Sequence, residues 1–236
     1  ADAFPTEKFD YILANPPYGV DWKAYAAPIK DEHTKQGFHG RFGAGLPRVS
    51  DGSFLFLQHM LSHMKPTGSR VGIVLSGSPL FSGQAGSGES EIRRWILEND
   101  WLEGIVALPD QMFYNTGIST YVWILTNDKA DEDRGSVKLI DARELGTKMR
   151  KSLGNKRKEL TPAAINEIVR LYGGARGEYA SDLRVKVLTN ETFGFQRITV
   201  ERPMRRRWEV TAKAVADEPY AAYASLVGQR YETEKL

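Results

Sequence analysis

The sequence predicts an α/β fold, and three observations point to it. Short apolar runs rich in β-branched residues, Tyr11–Leu13, Val71–Leu75, Leu102–Leu108, Thr120–Thr126 and Val137–Ile140, read as strands, several of them buried. Amphipathic segments at about 53–64, 89–99 and 162–172 read as helices interleaved with them. The first strand then runs into Asn15-Pro16-Pro17-Tyr18-Gly19. Two prolines there remove backbone donors and fix φ, giving a rigid elbow at the carboxyl end of a strand, where open α/β sheets place their chemistry.

That elbow has a specific chemical use. An exocyclic amino group is a poor nucleophile because its lone pair is delocalised. The side-chain oxygen of Asn15 and the carbonyl of Pro16 could each accept one amino hydrogen, localising the lone pair and aiming it at an electrophilic carbon. Tyr18 offers a ring for a planar group to stack on. The plainer alternative is a Pro-rich turn that closes a strand. The stretch Asp10–Tyr18 resembles the catalytic motif of the amino-methyltransferases, which use S-adenosylmethionine to methylate adenine N6, cytosine N4 or glutamine amide nitrogen. Its Asn resembles the adenine and glutamine branches.

Composition narrows the setting. The 236 residues hold one full α/β domain or a domain with an appendage, at 41% hydrophobic and 26% charged. No apolar run approaches the roughly 20 residues of a membrane span, and no signal peptide is visible. Zero cysteines exclude disulfides, thiolate metal sites and the nucleophile of cytosine-C5 methylation, and are compatible with a cytoplasmic setting. A net charge of +2 announces no nucleic acid by itself, but the cations cluster. Lys148, Arg150, Lys151, Lys156, Arg157 and Lys158 crowd one stretch and Arg202, Arg205, Arg206 and Arg207 another. Either set suits DNA phosphates or a solvated surface, and Lys151, Lys156, Arg157 and Arg205 are the candidate phosphate contacts.

The remaining segments follow in order. Residues 19–50 read as a long polar loop, folding over substrate or mobile. Ser50 or Asp51 can cap the helix at 53–64, which Lys65-Pro66-Thr67-Gly68 stops. His59 and His63 have the spacing of a metal pair, yet Met60 stands where a zinc-protease helix has Glu and no third ligand is evident, so no metal site is expected. Gly83, Gly86 and Gly88 have the wrong spacing for a dinucleotide loop, and 77–88 reads as a flexible active-site loop. The connector Pro109–Ser119 carries Phe113 and Tyr114, candidates for the second wall of a stacking slot opposite Tyr18. Thr161 and Pro162 start a helix that Gly173-Gly174 ends. Val185–Val187 and Ile198–Val200 read as short strands, and the tail from Thr211 as helical.

With these segments in place, the similarity widens. Asp51-Gly52-Ser53-Phe54 with Leu57-Gln58-His59, then Gly117-Ile118-Ser119, Lys151–Arg157 and Phe193–Pro203 resemble the modification subunit of type I restriction-modification systems. The resemblance implies a Rossmann-like methyltransferase sheet with an antiparallel last strand, held here in part, from the catalytic strand onward, with Tyr11–Leu13 as a false edge. It implies residues 1–145 as the C-terminal half of the catalytic domain, the glycine-rich cofactor loop lying upstream, and 146–236 as a basic, mainly helical extension. It further implies methyl transfer from S-adenosylmethionine to adenine N6 in DNA, with Asn15, Pro16, Pro17 and Tyr18 catalytic and the target base flipped against Tyr18. Asp51 and Phe54 would lie near a cofactor pocket incomplete in this chain, and a specificity and a restriction subunit would be partners. Protein glutamine methylation, or a non-catalytic fragment that binds DNA or a partner, are the alternatives.

Overall fold

A computed structural model describes residues 2–114, 116–174, 181–195, 198–200, 205–213, 216 and 224–234, with the backbone alone for 205–208 and 230–234. By its contacts the chain divides into two compact units, Ala1–Phe195 and Gln196–Leu236.

The first unit is built on one mixed sheet. Its strands are β1 (Tyr11–Ala14), β2 (Arg70–Ser76), β3 (Leu102–Ala107), β4 (Thr120–Thr126), β5 (Ser136–Asp141) and β8 (Val185–Thr189), in the order β1-β2-β4-β3-β5-β8. β1 and β2 are parallel, as are β3 and β5, whereas β4 is inserted antiparallel between β2 and β3, and β8 closes the far edge antiparallel to β5. The antiparallel strand expected of this sheet is therefore present. The helices are α1 (Ala26–Gln36), α2 (Ser53–Ser62), the single turn α3 (Ser78–Phe81), α4 (Gly88–Glu98) and α5 (Pro162–Gly173).

Alternation along β4 divides the core between the two faces of the sheet. Trp123 and Leu125 join Val71, Ile73 and Leu75 of β2 under Phe54 and Leu57 of α2 and Ile92 and Ile96 of α4. Val122 and Ile124 point the other way, with Val106, Ile140 and Leu171 of α5. The helix starts follow their caps. Ser87 Oγ accepts the amide of Ser90 at 3.4 Å, and Thr161 Oγ1 accepts that of Ala164 at 3.2 Å. α5 and β8, which lie beyond residue 146, pack on this sheet.

Four sequence expectations need correction. Tyr11–Leu13 is a strand, but an edge strand paired only with β2. Tyr11 and Leu13 are 78% and 84% exposed on one face, as the false edge implies and a buried strand does not. Residues 19–50 contain α1, whose hydrophobic periodicity is too weak to read because most of its side chains are polar. Ile198–Val200 forms no strand. The stretch after residue 146 is not mainly helical: β6 (Thr147–Leu153) and β7 (Lys156–Glu159) form an antiparallel hairpin, turned at Gly154 with φ +62°. A left-handed turn glycine between the two segments favours that hairpin over a helix.

The second unit contains an antiparallel pair, β9 (Arg205–Glu209) and β10 (Arg230–Glu234). Of the helix expected after Thr211, residues 214–215, 217–223 and 235–236 fall outside the described residues, and Arg230–Glu234 is β10 instead. Among the described residues no helix is long and apolar enough to cross a membrane.

Candidate active site

β1 delivers the elbow at its carboxyl end. Asn15 is exposed, Pro16 is buried as the pivot, Pro17 is exposed and Tyr18 is half-buried. Gly19 takes φ +62°, a left-handed turn that a side chain would strain. The Tyr18 hydroxyl donates to Asn15 Oδ1 at 3.0 Å. Burial pushes the phenol up to about 12, so it keeps the proton it donates. The amide oxygen of this exposed residue is thus held by the elbow's own tyrosine.

Of the two candidates for a second stacking wall, Phe113 is the one that lies beside Tyr18. Its ring meets Tyr18 edge to face, with centroids 5.9 Å apart. Tyr114, the other candidate, turns away: it is 57% exposed and its ring lies under Lys156 Nζ at 5.2 Å. Of the pair, the structure brings only Phe113 to Tyr18.

The chain after the elbow is stitched to the start of α2. The amide of Gly52 donates to Val20 O at 2.9 Å and that of Trp22 to Val49 O at 3.0 Å, which sets Asp51 beside the elbow segment. Asp51 Oδ1 accepts the Ser53 amide at 3.0 Å and Ser53 Oγ at 2.6 Å, while Oδ2 accepts Ser78 Oγ at 2.7 Å. Burial would raise its pKa, but the Ser53 and Ser78 hydrogen bonds and the nearby Arg48 outweigh it and hold the carboxyl below its ordinary value. Phe54 lies 2% exposed against Trp123. Asp51, Ser53, Phe54 and Ser78 share a cavity of about 10 Å³, room for one water.

The cationic candidates part company. Lys151, Lys156 and Arg157 stand on the β6–β7 hairpin, Lys151 and Arg157 exposed and Lys156 half-buried. Arg205 lies on β9, where only the backbone is described. Sequence reading missed the contacts that join hairpin and connector, namely the Asp110–Lys158 pair and the backbone carbonyl of Gln111, which accepts the amides of Arg157 and Lys158. Lys158 stood out only as one of a cluster of cations, and Asp110 only as an aspartate in a turn-rich connector.

His59 and His63 pack edge to face at 4.8 Å, and Asp2 joins them so that ligand-type atoms of all three lie within 4.8 Å. The groups are already engaged. His63 Nδ1 donates to Glu7 O at 2.7 Å, its Nε2 faces Asp2 at 3.2 Å, and Arg41 Nη1 lies 3.5 Å from His59 Nδ1. The Arg41 guanidinium, paired with Glu32, supplies positive charge to the cluster.

Comparison with known proteins identifies the family. The family model "N-6 DNA Methylase" matches residues 1–192. The chain is 31% identical over 169 residues to the type I restriction enzyme MjaIX methylase subunit of Methanocaldococcus jannaschii, covering 71% of this chain and 28% of that protein. It is 35% identical over 140 residues to the HindI methylase subunit of Haemophilus influenzae, covering 59% and 29%. The solved type I methyltransferase subunit from Streptococcus thermophilus superposes with a TM-score of 0.62 at 28% identity, over 80% of this chain and 37% of that one. The chain thus spans less than a third of the length of these two curated relatives.

Proposed function

Because the chain belongs to the N-6 DNA methylase family, we propose that it carries the base-holding half of an S-adenosylmethionine-dependent adenine-N6 methyltransferase. It would act on DNA in the cytoplasm as part of a type I restriction-modification complex with specificity and restriction subunits. The observation that carries this reading is the exposed Asn15 carboxamide on a proline-stiffened elbow, with the Tyr18 and Phe113 rings beside it.

In this reading a flipped adenine stacks on the Tyr18 ring, which Phe113 braces at its edge, and Asn15 Oδ1 and the Pro16 carbonyl accept the two amino protons. The amino lone pair, localised by those two acceptors, would be aimed at the methyl donor, and the proton the nitrogen gives up would pass from the acceptor holding it to solvent. Pro16 and Pro17 keep the acceptors from turning away. S-Adenosylmethionine, when bound, supplies the electrophilic methyl. Asp51 and the buried Phe54 fit the margin of its site: a carboxylate and two serine hydroxyls beside the elbow suit a polar group. The cavity beside Asp51 is only about 10 Å³, and in this reading the bulk of that group would be held by other residues. Lys151, Lys156, Arg157 and Arg205 would meet phosphates.

The test is methyl transfer by the full-length subunit in its complex, with duplex DNA in one arm and a glutamine-bearing peptide in the other. Label on adenine N6 that disappears in the Asn15→Ala protein, with cofactor binding retained, is the expected result. Label on the peptide alone overturns the reading.

A further inference from the structure

The connector after β3 and the cationic hairpin are joined by contacts that neither segment's own fold requires. Lys158 Nζ pairs with Asp110. The amides of Arg157 and Lys158 both donate to Gln111 O, at 2.9 and 3.2 Å. The amide of Asn155 donates to Tyr114 O at 3.0 Å, and Lys156 Nζ covers the Tyr114 ring. A Cβ on Gly154 would stand 3.0 Å from Tyr114 O, and one on Gly146 only 2.7 Å from Pro109. Backbone thus approaches connector at both ends of the hairpin.

Gln111 shows what this fastening does. Its φ is +58°, a left-handed conformation that costs a non-glycine residue roughly 1–2 kcal/mol and persists only where its surroundings over-determine it. Here two hairpin amides grip its carbonyl. Two residues further on, Phe113 leaves the connector to meet Tyr18, whose hydroxyl holds Asn15 Oδ1. An unbroken series of contacts runs from the hairpin cations through Gln111 and Phe113 to Asn15.

We propose that the β6–β7 hairpin is a clasp that sets Phe113 against Tyr18, with Asp110 and Lys158 as positioning residues. Through it, engagement of a phosphate backbone by Lys156 and Arg157 is coupled to the placing of the Tyr18 ring that would receive the target base. The inference rests on the adenine-methylation reading for its substrate, though the clasp itself is a property of the chain. Lys158 is the anchor. Its neighbours Lys148, Arg150, Lys151, Lys156 and Arg157 have no carboxylate within 4.0 Å among the described residues, which leaves them for an external anion, whereas Lys158 is committed inward.

The experiment uses the full-length subunit in its complex, as wild type, Asp110→Asn, Lys158→Gln and the charge swap Asp110→Lys/Lys158→Asp. A positioning role predicts kcat down by about tenfold to a hundredfold in the single variants, KM for DNA within about twofold, and kcat largely recovered in the swap. A rise in KM with kcat unchanged would make Lys158 a plain phosphate contact and overturn the clasp, as would wild-type kcat in both single variants. Amide hydrogen exchange without substrate is the second readout. Exchange at Arg157 and Lys158 should quicken about tenfold in Asp110→Asn; unchanged exchange overturns the proposal. If the wild-type complex transfers no methyl to DNA, the functional reading falls and the exchange result alone decides the clasp.

Discussion

The Tyr18 hydroxyl donates its hydrogen bond to Oδ1 of Asn15, at 3.0 Å, and so takes up one lone pair of the oxygen that, on the proposed function, an incoming amino group would use. Tyr18→Phe keeps the ring and frees the acceptor, so kcat/KM on duplex DNA should hold within about threefold of wild type. Tyr18→Ala loses the stacking face and should cost about 1–3 kcal/mol. Asn15→Ala should lose about 10²–10³ in kcat, the scale of one removed transition-state hydrogen-bonding partner. Steady-state kinetics of the three variants settles the order, and a Tyr18→Phe protein as inactive as Asn15→Ala would contradict it.

Salt dependence separates phosphate contacts from structural cations. Lys151→Ala, Lys156→Ala and Arg157→Ala should each flatten the slope of log K against log salt by about 0.9. A titration of fluorescent duplex at several salt concentrations measures it. Three unchanged slopes would remove the hairpin from the DNA interface.

Acid should loosen the joint between α4 and β5. Lys129 Nζ, its side chain 2% exposed, donates to Asp100 Oδ1 at 2.5 Å and to Ser136 O at 2.9 Å. Burial alone would raise the Asp100 pKa. Hydrogen bonds from Lys129, the Gly135 amide and Asn190 outweigh it, so the folded pKa is lowered. The sign follows: the stabilisation is present above the unfolded carboxyl value near 3.9 and is lost as pH falls through the lower folded value. Asp100→Asn tolerates the same φ of +55° but strands the ammonium, and should cost about 2–3 kcal/mol at pH 7. Chemical denaturation at pH 7 and pH 3 checks both statements, the variant's deficit shrinking at the lower pH.

The open side of β1 carries its own expectation. Tyr11 and Leu13 stand exposed on a strand with one neighbour, a template for pairing with another chain. Light scattering of the 236-residue chain should show association that rises with concentration, and Leu13→Lys should suppress it. Equal scattering from both proteins would show that the edge is not the contact.

The sheet was legible because its strands are short apolar runs between strong punctuation, and β2, β4 and α5 fall within a residue of the expected bounds. The elbow was legible because prolines act locally. Polar α1 was not, since its amphipathic signal is weak, and neither was the β6–β7 hairpin, whose cations obscure a two-residue period. Tertiary facts were hidden for a different reason. Nothing local distinguishes Phe113 from Tyr114 in facing Tyr18, and the Asp110–Lys158 pair spans 48 positions that only the folded chain brings together.

The segment from Phe42 to Asp51 shows how the face beside the elbow is prepared. Gly88 sits so close to Leu46 that a Cβ there would meet its carbonyl oxygen at 1.8 Å, Gln58 Nε2 donates to Gly45 O at 3.0 Å, and the Arg48 amide donates to Glu89 at 2.9 Å. A strip fastened at that many points does not wait for a guest before taking its shape. Its disorder was given up when the protein folded, so arrival of a nucleic acid need order little of this surface, and discrimination there should show in how quickly complexes part rather than how slowly they form.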